Sequence, residues 1–116
     1  MNEPAMSRQP LVSVCIASYN HARFLAGTLD SALAQTYENV EIIVVDDGST
    51  DDSLAIAERF ATRHPSVIKV FTQPGAANRG ISATINAAVL RAKGEFVRPF
   101  SSDDLFYPDT LAAQVA

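Results

Sequence analysis

Short apolar runs alternate along the chain with longer segments in which apolar residues recur every three or four positions. Most of the short runs are rich in valine and isoleucine, which is typical of strands covered on both faces. They predict four strands, over residues 11–17, 40–45, 67–71 and 95–100. The longer segments have the spacing of helices with one buried face. They predict four helices, over residues 21–35, 53–63, 81–93 and 108–116.

The alternation of strands and helices predicts the class of fold. Strands that are joined through helices run parallel, and their helices cover both faces of the sheet. We therefore predict an α/β fold with three layers, α/β/α, and a mainly parallel sheet. Residues 1–10 are expected to be a flexible leader, and residues 11–116 are expected to form the domain.

The third predicted helix carries two local expectations. Its buried face is predicted to consist of Ile81, Ile85, Ala88 and Val89. Gly94, which follows Lys93, is predicted to stop this helix, because glycine readily adopts the left-handed conformation found at helix ends.

Three polar clusters follow directly on predicted strands, at residues 18–20, 46–49 and 101–104. In a parallel sheet, ligands bind at the carboxyl ends of the strands, where the strand order reverses. We therefore expect the three clusters to converge on one rim of the sheet.

The two pairs of acids in these clusters each allow two interpretations. Asp46 and Asp47 leave a strand in succession and point to opposite sides, so one of them can face the rim. They can equally form a strand-to-helix turn with both acids bonded to backbone amides. Asp103 and Asp104 suit a hard divalent cation, but the same segment can simply cap a turn.

Other polar residues in these loops are less informative. Tyr19 can stack on a planar base or close the core against the first helix. Arg79 can approach a pyrophosphate, although a solvated loop is the simpler interpretation. His21 and His64 have no cysteine or histidine near them in sequence, so a zinc site is not indicated. Ser18 lacks the flanking glycines of a nucleophile elbow.

Composition narrows the classes of partner. The chain has 116 residues, a net charge of −4 and a sequence pI of about 4.9, and it contains no basic run. Nucleic acid is therefore not an expected partner, and a phosphate must be held locally by a metal or by backbone amides. The single Cys15 is predicted to be a buried core residue. Without an apolar stretch of about 20 residues, a cytoplasmic location is expected.

In order along the chain, the motifs resemble one family, the family-2 glycosyltransferases with the Rossmann-like GT-A fold. The resemblance rests on VSVCIASYN at residues 12–20 and on LDSALAQTYENVEIIVVDDGSTD at residues 29–51. It continues in NRGIS at residues 78–82, Asn86 and AKGEF at residues 92–96. SDD at residues 102–104, with Pro108 and Leu111, completes it.

The resemblance implies transfer of a sugar, with inversion, from a nucleotide-diphosphate donor to an acceptor hydroxyl. A UDP-sugar is the expected donor, and Mn²⁺ or Mg²⁺ is the expected cofactor. Ser18 and Tyr19 would line the nucleotide pocket, and Asp47 would accept a hydrogen bond from the base. Asp103 would contact the ribose or the metal, and Asp104 would be the direct metal ligand.

The chain departs from the family pattern in two ways. Many members have aspartate where this chain has Ser101. The catalytic base of the family lies further downstream, so it is expected beyond residue 116, and the fold is expected to stop before the acceptor-binding half. An unfinished sheet predicts an exposed apolar edge or face and self-association. The acceptor is not indicated, and the full-length protein is expected in the cytoplasm or at the inner face of the membrane.

Two alternatives belong to other classes of function. A phosphoacceptor signalling domain needs its acid pair after the first strand, but here Ser18 and Tyr19 stand there. A non-catalytic module that binds nucleotide or a partner through the same fold stays open.

Overall fold

The computed structural model of the protein describes residues 9–101, Pro108 and residues 110–115. Its strands are β1 (Val12–Ser18), β2 (Val40–Asp46), β3 (Ile68–Thr72) and β4 (Phe96–Ser101). Its helices are α1 (Ala22–Leu33), α2 (Ser53–Arg63), α3 (Ile81–Val89) and α4 (Thr110–Val115). A short 3-10 turn, Pro74–Ala76, lies between β3 and α3. All eight predicted elements are present, with ends that differ by a few residues from the prediction.

The four strands form one parallel sheet in the order β3-β2-β1-β4. The chain moves outward from β1 through β2 to β3 and then returns to place β4 on the other side of β1. The strand order therefore reverses beside β1, which is where ligands bind in open α/β sheets. The strand ends are level there, because Ser18 pairs with Asp46 and Ala17 pairs with Ser101.

Helices cover both faces of the sheet, which confirms the predicted three-layer fold. On one face, a large buried cluster joins the sheet to α1, α2 and α4. Its helical members include Leu25, Leu29, Ala57 and Leu111. On the other face, a smaller cluster joins Cys15, Ile43 and Val45 to Ala88 of α3.

The predicted buried face of α3 is right for Ala88 but wrong for Ile81 and Val89, which are exposed. Thr84 and Ala88 are the buried residues of this helix, whereas Ile81 is 61% exposed. Thr84 can be buried because its hydroxyl donates to the carbonyl of Gly80 at 2.8 Å and accepts from the Gln73 amide at 3.1 Å. These bonds satisfy the polar group, so Thr84 can be buried at a position that apolar spacing alone does not predict.

The predicted role of Gly94 is also wrong. Helix α3 ends at Val89, and Gly94 lies further on, against the start of β1. A Cβ added to Gly94 would lie 2.6 Å from the carbonyl oxygen of Leu11 and 2.8 Å from the amide nitrogen of Ser13. Glycine is therefore needed at this position for a close approach of two backbones.

A buried polar group lies next to this close approach. The Ser13 hydroxyl accepts a bond from the Gly94 amide at 2.8 Å and donates to the Glu41 carboxylate at 2.5 Å. Glu41 also accepts from the amide of Lys93 at 2.7 Å. This group ties the segment before β4 to β1 and β2, so we call Ser13, Glu41, Lys93 and Gly94 the strand brace.

Strand β4 lies at one edge of the sheet, and Phe96 and Val97 on it are 45% and 41% exposed. Self-association through this edge stays a prediction. Among the helices in the described part of the chain, none has the length and apolarity needed to cross a membrane.

Cys15 is fully buried, which confirms its predicted place in the core. Burial, and after it the charge of Glu41, raise the pKa of the thiol from 9.0 to about 11. We expect iodoacetamide to leave the folded protein unmodified near neutral pH and to label Cys15 in denaturant, as measured by mass spectrometry. Rapid labelling of the folded protein would contradict this burial.

The pKa of the Cys15 thiol is higher in the folded protein than in the unfolded chain. The contribution of this thiol to stability is therefore complete below pH 9.0 and is lost as the pH rises towards 11.

Candidate functional site

A cleft of about 250 Å³ opens at the carboxyl ends of β1, β2 and β4. It lies at the reversal of strand order, as the topology predicts. Its lining residues come from three loops and two strand ends: Ala17, Ser18, Tyr19, His21, Asp47, Asn78, Gly80, Ile81 and Ser101. Ser18, Tyr19 and Asp47, which the sequence singles out, all reach this cleft, while Asp103 and Asp104 lie outside the described residues.

Ser18 ends β1 with an unsatisfied hydroxyl. The residue is 1% exposed, and its Oγ has no hydrogen-bond partner among the described residues. A buried hydroxyl without a partner costs about 1–3 kcal/mol, and most such groups in folded proteins are satisfied. Because Ser18 is in the wall of the cleft, a bound ligand can supply the missing partner.

Tyr19 is 42% exposed at the mouth of the cleft. This exposure argues against the interpretation in which Tyr19 closes the core, because such a tyrosine would be buried. An exposed aromatic face beside a polar cleft can stack on a planar ligand.

Asp47 has a buried carboxylate that accepts hydrogen bonds from backbone amides just before α3. One oxygen accepts from the amide of Arg79 at 2.6 Å, and the other accepts from the amide of Gly80 at 3.0 Å. Asp47 is 3% exposed, yet it lines the cleft. Because a carboxylate offers about four acceptor positions, its two amide partners leave room for a ligand donor.

Asp46 turns away from Asp47, as expected for successive residues at a strand end. Its Oδ2 accepts from the amide of Ser49 at 2.9 Å, and its Oδ1 has no partner among the described residues. Both acids therefore bond to backbone amides, as in a strand-to-helix turn. Of the two, Asp47 alone lines the cleft.

His21, Asn78, Gly80 and Ile81 also line the cleft, although the sequence did not single them out as site residues. Asn78, Gly80 and Ile81 follow β3, whose end lies at the far edge of the sheet. The loop returns to the cleft because Asp47 holds its backbone, a contact between residues more than 30 positions apart. The signal in the sequence was the NRGIS motif at residues 78–82, which contributes to the family resemblance.

The side chain of Arg79 is not among the lining residues of the cleft. Its guanidinium lies 3.5 Å from the carbonyl oxygen of Pro74 on the exposed side of the loop. Its backbone amide bonds to Asp47 instead. This arrangement agrees with the solvated interpretation of the Arg79 side chain.

The described residues contain no group of three or more histidine, cysteine, aspartate or glutamate side chains that could hold a metal ion. Each oxygen of Asp47 accepts one backbone amide. Ser101 ends β4 in the wall of the cleft, and Asp103 and Asp104 follow it in sequence.

The sequence matches a protein-family model described as Glycosyl transferase family 2, over residues 13–116. The chain belongs to glycosyl transferase family 2. Membership confirms the resemblance seen in the strand-end motifs. A family 2 relative from Rickettsia felis, described as an uncharacterized glycosyltransferase, is 41% identical over 106 residues. That match covers 91% of this chain and 17% of the relative.

Two solved structures resemble this chain. The mannosyltransferase PcManGT from Pyrobaculum calidifontis, in complex with GDP-Man and Mn²⁺, has a TM-score of 0.85 and 32% identity. This match covers 97% of this chain and 33% of that structure. TarS from S. aureus, in complex with UDP, has a TM-score of 0.80 and 33% identity, with coverages of 90% and 30%. These similarities confirm the predicted GT-A fold, and the chain spans about a third of both structures.

Proposed function

We propose that this chain binds the donor of an inverting glycosyltransferase, which moves a sugar from a UDP-sugar to an acceptor hydroxyl. The observation that carries the proposal is the cleft beside β1, where Ser18, Tyr19 and Asp47 come together. Family membership supports the class of reaction. The ligands of the two similar structures, GDP-Man in PcManGT and UDP in TarS, support a nucleotide-sugar donor.

The cleft suits the base end of the donor. Its volume of about 250 Å³ is below the roughly 300–1,000 Å³ of sites that enclose a drug-sized ligand, so it holds only part of a nucleotide sugar. In a uridine nucleotide the base has one N–H group, N3–H, which can donate to a remaining acceptor position of Asp47. Tyr19 offers a face for stacking, and the Ser18 hydroxyl can bond to the nucleotide.

The phosphate end requires compensation of charge. The chain carries a net charge of −4, and the cleft wall, as far as the structure describes it, contains no lysine or arginine. We propose that Asp103 and Asp104 hold Mn²⁺ or Mg²⁺, which neutralises the negative charge of the departing diphosphate when bound. The segment 101–104 contains two carboxylates, because serine stands at positions 101 and 102. We therefore expect weaker metal binding than a segment with three carboxylates would give.

In the proposed transfer, the acceptor oxygen forms a bond to the anomeric carbon while the bond to the diphosphate breaks. The proton of the acceptor hydroxyl passes to a carboxylate base. Among the described residues, Asp47 is the carboxylate in the wall of the cleft, and each of its oxygens accepts one backbone amide. We propose, as the resemblance to the family implies, that this base lies beyond residue 116. The second candidate function is nucleotide binding in the same cleft without catalysis.

Replacement of Tyr19 tests the base end of the proposal. We expect Tyr19→Ala to weaken UDP binding about 5-fold or more, because stacking of a base on an aromatic ring contributes about 1–3 kcal/mol. Tyr19→Phe keeps the ring and should bind within about 2-fold of the parent protein. Isothermal calorimetry measures both. Equal weakening by the two substitutions would show that the hydroxyl, and not the ring, contacts the nucleotide.

Manganese tests the phosphate end. We expect Mn²⁺ to increase the affinity for UDP in the parent protein, and Asp104→Asn to abolish this increase while metal-free binding persists. Asp52→Asn, at an exposed residue before α2, is the matched control and should respond to Mn²⁺ like the parent. An unchanged Mn²⁺ response in Asp104→Asn would rule out Asp104 as a ligand. Nucleotide binding without release of sugar from a UDP-sugar is the outcome expected of the second candidate function.

A further inference from the structure

Asn20 has an unusual backbone conformation next to the cleft. Its φ angle is +52°, and it is the only residue other than glycine with a positive φ in the described part of the chain. Most side chains avoid this left-handed region, but asparagine tolerates it better than most. The conformation directs the chain from the end of β1 into α1.

The Asn20 side chain joins this loop to the loop after β2. Its Oδ1 accepts from the amide of Thr50 at 2.8 Å and more weakly from the amide of Asp51 at 3.4 Å. The Asn20 backbone amide donates to the Ser49 hydroxyl at 3.0 Å. Asn20 therefore contacts three successive residues of the second loop.

Hydrogen bonds from the two residues after Asn20 also join this loop to the segment after β2. The amide of His21 donates to the Ser53 hydroxyl at 3.1 Å, and the amide of Ala22 donates to the Asp51 carboxylate at 3.1 Å. Desolvation alone would raise the pKa of Asp51, but bonds from Ser53 and from the Ala22 amide outweigh it and lower the pKa. Asp51 thus remains a charged acceptor at neutral pH.

Tyr19 lies between two such tethers. On one side, the Ser18 carbonyl accepts from the amide of Asp47 at 2.8 Å. On the other side, Asn20 binds Thr50. The position of Tyr19 relative to Asp47 is therefore fixed from both directions, although the Tyr19 side chain is itself exposed.

From these contacts we infer that Asn20 is a positioning residue for the donor base. It holds the Tyr19 ring at a set distance from the Asp47 carboxylate, so that stacking and hydrogen bonding can occur together. This inference rests on the proposed function, because it names the residue that orders the two groups contacting the base. This position requires a residue that tolerates a positive φ angle and carries a side-chain acceptor. Asparagine meets both requirements. Glycine meets only the first, and alanine meets neither.

The main test is Asn20→Gly, which keeps the backbone conformation accessible and removes the side chain that carries the acceptor. Without the tether, binding must order Tyr19 and its loop, so we expect UDP affinity to fall about 3- to 10-fold. Asn20→Asp keeps acceptor oxygens and should bind UDP with most of the affinity of the parent protein. Circular dichroism melts confirm that all proteins are folded at the temperature of the titration.

A double-mutant cycle with Tyr19→Ala separates positioning from general destabilisation. If Asn20 acts through Tyr19, Asn20→Gly should have little further effect on UDP affinity in the Tyr19→Ala background. A fall that is as large in that background as in the parent protein would overturn the inference.

Amide hydrogen exchange of the free protein tests the tether without nucleotide. Exchange at Thr50 should accelerate in Asn20→Gly, and unchanged exchange would overturn the inference. If the parent binds UDP and Asn20→Gly binds it equally well, only the inference fails. If the parent, shown to be folded, does not bind UDP, the proposed function fails and the inference fails with it.

Discussion

Asp47→Ala is expected to weaken UDP binding about 10-fold or more. Hydrogen bonds to charged groups contribute about 1.5–3 kcal/mol, and the substitution removes the acceptor proposed for the base. It also releases the amides of Arg79 and Gly80, so the loop that forms one wall of the cleft loses its attachment. Both effects act in the same direction, which makes this the largest expected change in binding.

Two further variants make the result interpretable. Asp47→Asn keeps the size of the side chain but offers one oxygen for two amides, so it should bind UDP weakly as well. Asp52→Asn changes an exposed carboxylate nearby and should leave binding unchanged. Calorimetric titration of UDP measures all three proteins. Parent-like affinity of Asp47→Ala would show that Asp47 has only its structural role at the entry to α3.

Gly94→Ala is expected to lower the free energy of unfolding by about 1–3 kcal/mol, the usual cost of overpacking. The new methyl group would meet backbone atoms of Leu11 and Ser13 at 2.6–2.8 Å, and backbone cannot give way as a flexible side chain can. The shift would also disturb the strand brace, in which the Gly94 amide donates to the Ser13 hydroxyl. The expected loss is a large fraction of the stability of a small domain.

Urea unfolding followed by circular dichroism measures this loss as a lower midpoint with an unchanged slope. Leu90→Ala is the control in the same segment, because Leu90 is 86% exposed and its truncation should change stability by less than about 0.5 kcal/mol. Equal midpoints for Gly94→Ala and the parent protein would contradict the close approach of residue 94 to β1.

The fold was largely predictable because it depends on a pattern that the sequence carries throughout. Valine-rich and isoleucine-rich runs such as residues 40–45 are separated by segments of helical period, which leaves few arrangements besides a parallel sheet. The errors in the fold concern two residues whose contacts cannot be read from apolar spacing. Thr84 is buried because its hydroxyl has partners, and Gly94 is needed at a backbone contact, not at a helix end.

The candidate site was predictable where it follows from strand ends. Ser18, Tyr19 and Asp47 follow parallel strands at the point of reversal, so topology alone brings them together. The contribution of Gly80 and Ile81 depends on the path of a loop, which is set by a long-range bond to Asp47. Propensity and periodicity carry no information on such contacts. The roles of Asp103 and Asp104 stay predictions, because both lie outside the described residues.

The central claim is that the cleft beside β1 binds the base of a UDP-sugar. Amide chemical shifts of the labelled protein during a titration with UDP test this claim most directly. We predict saturable shifts at Tyr19, Asp47 and Gly80, with little change at Ile68 and Lys69 in the groove between α2 and β3. Shifts confined to that groove, or no shifts from a folded protein at millimolar UDP, would contradict the account.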